Sequence, residues 1–365
     1  MKKRLLSLTL IAALCLSLFP TGTAPALAAD GDSTVYVGGV ALSGSESTPV
    51  YATTDESGEV AVQSNYTEQD SWQIKWDGST LTLNDAYITE YVNDGSSAIN
   101  GTAIGVANSS GNAELTIQLD GTNTVSASTG VHVYSSSGTA CLTITGENGG
   151  SLKASGNMNG IKVQSNSGNA SLKINDAKVT ATSESGIGVS VQADNSSSAS
   201  LTVEGGSLTA SGRKGILFPE GTPQLTVDNS TIVRASGGIV SGTNEDQAVT
   251  TDGTGIVFDG TEGAVYGNVT LQEDLTIESG QTLDIPSGAS LTIDSGATLT
   301  NNGTLTNNGT LTNNGTINNS GTLPSDIDGN EPPSITTTSL LAGTVGTAYN
   351  ETLEASGNPT SWEIT

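Results

Sequence analysis

The chain has 365 residues, with 46 glycines but only 3 Trp, 8 Tyr and 3 Phe. So few rings cannot fill a wide globular core, although the aliphatic residues suffice for a thin one. With 37 acidic against 11 basic residues, nucleic acid and anionic membrane are excluded as natural partners.

Residues 1–29 read as a secretory signal: a basic start at Lys2, Lys3 and Arg4, an apolar run from Leu5 to Phe19, then Ala26-Leu27-Ala28 as a small-residue cleavage site. The mature chain is then secreted, extracellular or cell wall-associated. It holds 8 basic and 37 acidic residues, a net charge of −29. Cys141 is its one cysteine, so no internal disulfide forms and the thiol is a spectator. No second apolar run reaches the length of a membrane span, so no membrane insertion is expected.

Residues 30–76 lack the repeat that follows and carry short alternating runs, Val35 to Leu42, Val50 to Thr53 and Glu59 to Gln63. A solenoid must cover its open end, because exposed strand edges recruit other chains, and this segment is the expected N-terminal β cap.

Residues 77–260 hold a three-part phrase, clearest from Ala113 to Gly242. An alternating run comes first: Leu115-Thr116-Ile117, Leu142-Thr143-Ile144, Leu172-Lys173-Ile174, Leu201-Thr202-Val203 and Leu225-Thr226-Val227. An aliphatic residue two before an alanine follows, in the pairs Val125/Ala127, Leu152/Ala154, Val179/Ala181, Leu208/Ala210 and Val233/Ala235. A glycine before Val or Ile opens the third part: Gly130-Val131, Gly160-Ile161, Gly186-Ile187, Gly215-Ile216 and Gly238-Ile239. The first part returns after 27, 30, 29 and 24 residues. A period of that size marks a solenoid, and period-2 alternation within each part makes it a β-solenoid. The expected fold is all-β, a right-handed parallel β-helix with three short strands per coil around Leu/Ile, Leu/Ala and Ile/Val columns.

In residues 261–323 the period shortens. Leu275, Leu283, Leu291 and Leu299 are spaced by eight, then Leu305, Leu311, Ile317 and Leu323 by six. One apolar residue per short strand and an Asn-Asn-Gly turn predict a narrower continuation with stacked asparagines. Residues 324–333, with Pro324, Pro332 and Pro333, read as a linker.

Two resemblances follow from particular phrases. The run from Pro332 to Thr365, through Ala342-Gly343-Thr344-Val345-Gly346-Thr347-Ala348-Tyr349, resembles the opening of a bacterial Ig-like, cadherin-like β-sandwich. Residues 334–365 are too short for such a sandwich, so the expectation is an incomplete domain. Trp76 to Ile88, "WDGSTLTLNDAYI", and Leu142 to Gly156, "LTITGENGGSLKASG", resemble the pectin-lyase-like right-handed β-helix repeats of secreted Gram-positive surface proteins. That resemblance implies an architecture shared by lyases, hydrolases, carbohydrate-binding modules and adhesins, and fold alone does not choose among them.

Three constellations bear on function. Lys153, Lys162, Lys173, Lys178, Arg213, Lys214 and Arg234 are the cations of the helix body, and none is grouped with an acidic pair at motif-like spacing. The Asp-Asp and Gly-His-Gly motifs of the polygalacturonase-like family do not occur. His132, between inward Val131 and Val133, is expected outward and solvated.

Second, Asp85, Asp120, Asp176 and Asp228, with Glu147 and Glu204, follow the first strand of successive coils. They form a candidate calcium ladder, against the plainer reading that Asp suits these turns. Third, Trp72, Trp76 and Tyr87, with Tyr91, offer rings that stack on sugars or pack the cap junction. The sequence therefore points to a non-enzymatic surface β-helix for adhesion, carbohydrate binding or a structural stalk. Its partner is a polysaccharide or cell-surface glycan, and it has no cofactor unless calcium binds. The rivals are a β-helix polysaccharide lyase or glycoside hydrolase, and a calcium-dependent binder.

Overall fold

The computed structural model describes residues 34–93, 97–146, 149–242 and 249–324, with short stretches beyond 333. The expected signal segment, the acid Glu147 and most of the expected linker and Ig-like stretch lie outside the described residues. From the last, Ser334–Ile335 pairs antiparallel with Ala355–Ser356.

The described chain is all-β, a parallel β-solenoid of about seven turns with three-strand coils. Its first sheet stacks Ala113–Asp120 on Ala140–Thr145 and then on the starts of Ala170–Ser183, Ser198–Ser211 and Thr222–Ala235. Register joins Leu115, Leu142, Leu172, Leu201 and Leu225 in one column and Ile117, Ile144, Ile174, Val203 and Val227 in the next. All ten are buried, because alternation sends every second side chain inward and stacking seals it between coils.

The second sheet carries the alanines. Ala154, Ala181, Ala210 and Ala235 form one inward column. Opposite runs a line of glycines at the start of the third sheet, and a Cβ placed on Gly130 or Gly215 would lie 3.2 or 2.9 Å from the Cβ of Ala154 or Ala235. Two strands meet here at a sharp corner, so only the smallest residues fit.

Two alignments differ from the sequence reading. In the second sheet Val125 stacks on Ala154, and Asn123 takes the place expected of Val125, beside Leu152. In the third sheet Ile161 pairs with Val189 and Val189 with Ile216, so Gly188-Val189 rather than Gly186-Ile187 fills the inward column. Ile187 is only half-buried. A corner two residues longer keeps the face while moving the register, a shift that alternation alone cannot detect.

Val35–Val37 pairs antiparallel with Thr102–Asn108, the leading edge of the third sheet. Ile74–Trp76 does the same to Thr80–Asn84 at the edge of the first. With Val40–Leu42, Val50–Thr54 and Val60–Gln63 these make antiparallel hairpins, which occupy the backbone groups an end coil leaves free.

The far end is a second, thinner solenoid. Leu275, Leu299 and Ile317 share one column, Val269, Leu291 and Leu311 another, and Leu283 and Leu305 the third. Three short units make each coil, and coil length falls from 24 residues at Leu275 to 18 at Leu299.

This solenoid is not coaxial with the first. The strand Thr250–Asp259 turns back through a hairpin into Glu262–Tyr266, which pairs parallel with Thr282–Ile285. Val257 faces the first core, whereas Ile256 and Phe258 on the opposite face of the strand enter the second. Strand direction and core side invert together, which is a half-turn about the stacking axis. The two solenoids therefore wind with the same hand, displaced sideways across a shared sheet.

Candidate functional site

The outer face of the third sheet is a ladder of residues that follow the inward Val and Ile positions. Register places Gly105, His132, Lys162, Ser190 and Leu217 in line. A groove of about 450 Å³ opens over it, lined by Asn157, Asn159, Lys162, Ser190, Gln192 and Pro219 among others.

One rim is the corner at Asn157 and Met158. The Ser183 and Ser185 hydroxyls both donate to the Asn157 carbonyl, at 3.0 and 3.1 Å. Met158 projects from that rim, 63% exposed. On the opposite side Gln192 donates from Nε2 to Glu220 at 3.3 Å. Asn159 and Ser190 are buried on the floor.

Lys162 is the ionisable residue of the lining. Burial pulls its pKa below the usual lysine value, since a desolvated ammonium is disfavoured. Lys173 and Lys178 meet Glu204 and Glu273 at 3.3 and 2.9 Å. Lys162 has no carboxylate within salt-bridge distance among the described residues.

His132 points outward as expected, but it is not solvated: it is 5% exposed and its Nε2 has no hydrogen-bond partner among the described residues. The expectation fails because this outer face is covered. Ile99 folds over Gly105 on one side of it, with its Cδ1 3.1 Å from where a Gly105 Cβ would stand. Lys162 adjoins on the other side, and the Tyr134 ring stands edge-on at 6.2 Å. Desolvation, then the neighbouring Lys162 charge, lowers the His132 pKa to about 3, so the imidazole is neutral at physiological pH.

The acidic residues are distributed differently. Asp120 lies beside Asn84, and Asp228 beside Glu204. Asp85 and Asp176 are corner residues in left-handed conformation, φ 51° and 49°. Each lays Oδ1 against the glycine one coil on, Gly121 and Gly205, where a Cβ would come within 2.2 Å. Asp85 Oδ1 accepts from the Thr122 N–H at 2.7 Å. Asp228 Oδ1 accepts from Thr254 Oγ1 and the Asn229 N–H, which lowers its pKa. The four aspartates thus follow the first strand of different coils, and the carboxylates of Asp85 and Asp228 accept from backbone and hydroxyl donors. Among the described residues no group of three or more His, Cys, Asp or Glu is placed to hold a metal ion.

Of the aromatic set, Trp76 is corrected. It is 7% exposed and belongs to the main core, because its inward position in Ile74–Trp76 faces the solenoid interior. Trp72 is half-buried against Tyr51, ring centroids 5.8 Å apart. Tyr87 and Tyr91 remain exposed.

The sequence reading counted Lys162 among the cations of the helix body but did not find the groove around it. The signal is the register: had Val189 been aligned with Ile161, Lys162, Ser190 and His132 would have fallen on one line. No family model, curated protein or solved structure matches the chain.

Proposed function

We propose that this chain is a secreted, non-enzymatic surface β-helix that binds glycan along the third-sheet groove, with Lys162 taking a sugar carboxylate. The observation that carries the reading is the half-buried Lys162 ammonium, without a carboxylate partner among the described residues, on a floor of amide and hydroxyl groups. Asn159, Ser190 and Gln192 are the donor and acceptor types that match sugar hydroxyls. The lining residues include no Asp or Glu, which favours holding a glycan over hydrolysing it, since hydrolysis uses paired carboxylates.

Net charge restricts the ligand further. At about 0.1 M salt the Debye length is about 10 Å, so a carboxylate in the groove feels Lys162 more than the distant acids. A densely sulfated polyanion extends beyond that range and is repelled. The expected ligand is a sparsely acidic glycan, with isolated uronate-type carboxylates among neutral sugars.

A glycan array probed with the full chain, followed by calorimetry on the best oligosaccharide, tests this. Lys162→Gln should weaken binding by about tenfold to a hundredfold, the loss of one charge-assisted hydrogen bond. Binding that is unchanged in Lys162→Gln, or that prefers dense polyanions, refutes the assignment. Repeating the titration with calcium and with chelator separates a calcium-dependent binder. An unsaturated-uronate and reducing-sugar assay separates an enzyme.

A further inference from the structure

The second solenoid repeats an Asn-Gly dipeptide at equivalent corners, Asn302-Gly303, Asn308-Gly309 and Asn314-Gly315. Packing demands the glycine. A Cβ would meet the Gln281 carbonyl oxygen at 2.2 Å from Gly303, that of Ala289 at 2.4 Å from Gly309, and that of Ala297 at 2.4 Å from Gly315.

Asparagine before glycine is chemically vulnerable, because no side chain shields the glycine nitrogen. Once deprotonated, that nitrogen attacks the asparagine Cγ and forms an N–C bond. The Cγ–Nδ2 bond breaks, ammonia leaves, and a five-membered succinimide remains. Water then opens the ring to aspartate or isoaspartate. Each event adds a negative charge, and isoaspartate inserts a carbon into the main chain. That carbon would fall where Asn302, Asn308 and Asn314 donate their own N–H groups to Ile277, Ile285 and Ile293, at 2.8, 2.8 and 2.9 Å.

In every one of these corners the attacking nitrogen is already engaged. The Gly303, Gly309 and Gly315 N–H groups donate to Oδ1 of Asn301, Asn307 and Asn313, at 3.2, 3.2 and 3.1 Å. We propose that the first asparagine of each Asn-Asn-Gly corner is a guard residue that suppresses deamidation of the second. Removing the proton from Gly N would break this bond and set an amide anion against the Oδ1 lone pairs, which raises the barrier to attack.

The preceding coil supplies a contrast. Register aligns Asn301, Asn307 and Asn313 with Ile277, Ile285 and Ile293, side chains that accept nothing. At those unguarded corners the residue before glycine is serine, in Ser279-Gly280, Ser287-Gly288 and Ser295-Gly296. Thus each asparagine that directly precedes glycine in residues 298–321 has a guard, and the three corners without one carry serine. Gly321 keeps the same bond, to Asn319 Oδ1 at 3.2 Å, behind Ser320. The contact is therefore also part of the turn, and its chemical consequence falls where an asparagine follows.

The full chain, held at mildly alkaline pH and sampled by peptide-mapping mass spectrometry, reports conversion at Asn302, Asn308 and Asn314 separately. The exposed Asn313 is replaced by alanine, which leaves the core untouched. Asn314 should then convert about tenfold faster, as expected for losing one hydrogen bond, while Asn302 and Asn308 keep the parent rate. Asn313→Asp retains an acceptor oxygen and should return Asn314 to the parent rate. In urea, parent and Asn313→Ala chains should convert Asn314 alike. Equal folded-state rates at Asn314 in parent and Asn313→Ala overturn the proposal. So does a rise shared equally by Asn308, which would mean the whole corner had opened.

Discussion

The Arg234 guanidinium lies over the Phe258 ring, 4.2 Å from its centroid, where the two solenoids meet. Arg234 is an outward residue of the first solenoid and Phe258 an inward residue of the second, so this pair joins the outer wall of one to the core of the other. Arg234 also donates from Nη2 to the Thr276 carbonyl at 2.5 Å and from Nη1 to Gln281 Oε1 at 3.3 Å. Lys178 and Glu273 pair across the same junction.

Arg234→Ala removes a partly desolvated cation–π contact and two charge-assisted hydrogen bonds, and should cost about 2–4 kcal/mol. The loss should concentrate in residues 262–323, seen as faster amide exchange at Thr276 and Leu283 with little change at Leu142. Lys at this position keeps the charge but not the planar fork, and should recover only part of the stability. Identical exchange in Arg234→Ala and parent would mean the junction is held by Ile256 and Phe258 burial alone.

Ala154→Phe tests the narrowness of the first core. Ala154 is fully buried, and across the corner stands Gly130, so a ring has nowhere to go without parting the sheets. Overpacking should cost about 3 kcal/mol or more, measurable as a lower urea midpoint. An unchanged midpoint would show that the second sheet can separate from the third at no cost.

How legible this architecture was depends on which property the sequence carried. The Leu115 and Ile117 columns are plain in the letters because burial demands aliphatic residues at a period of two, and five coils repeat the demand. The Ala column from Ala154 to Ala235 is legible for the same reason. Register at the corners was not: Ile187 and Val189 are both aliphatic and two apart, so either satisfies the alternation. Only strand pairing chooses Val189. The sideways step between solenoids was hidden because Ile256-Val257-Phe258 is a continuous apolar run, and such a run does not say that its two faces serve different cores. The Lys162 groove was hidden by the same corner ambiguity, since its residues come from coils whose alignment the letters left open.

His132 gives a pH dependence of defined sign. Its folded pKa is about 3 against an ordinary histidine value of 6.5, so below about pH 6.5 the unfolded chain binds a proton that the folded chain refuses. The stability this represents is complete above about pH 6.5 and falls as pH drops towards 3, by about 1.4 kcal/mol per pH unit at most. Between pH 6.5 and 5 most carboxylates are still ionised, so that window isolates the histidine. His132→Gln should flatten the slope of unfolding free energy there. A slope equal in parent and variant would place the responsible titration elsewhere.

Asn123 carries the sharpest contrast between pattern and geometry. It is fully buried in an inward column whose other members include Leu152, Val179 and Leu208, so alternation alone recommends Asn123→Leu as an improvement. The structure gives its amide three partners. Oδ1 accepts from the Ala86 N–H at 2.9 Å, and Nδ2 donates to the carbonyls of Asp120 and Ser151 at 3.0 and 3.2 Å. The side chain thereby ties three successive coils together at the first turn after the cap. Leucine would gain about 1–2 kcal/mol of apolar burial. It would also strand the Ala86 N–H and take a donor from the carbonyls of Asp120 and Ser151, at about 1–3 kcal/mol for each group left without a partner. The net expectation is a destabilisation of about 1–3 kcal/mol, with amide exchange accelerated at Ala86 and Thr124 before any change at Val203. A melting temperature equal to or above the parent's would show that the column tolerates a purely apolar core at this coil, and that the amide network only fills space.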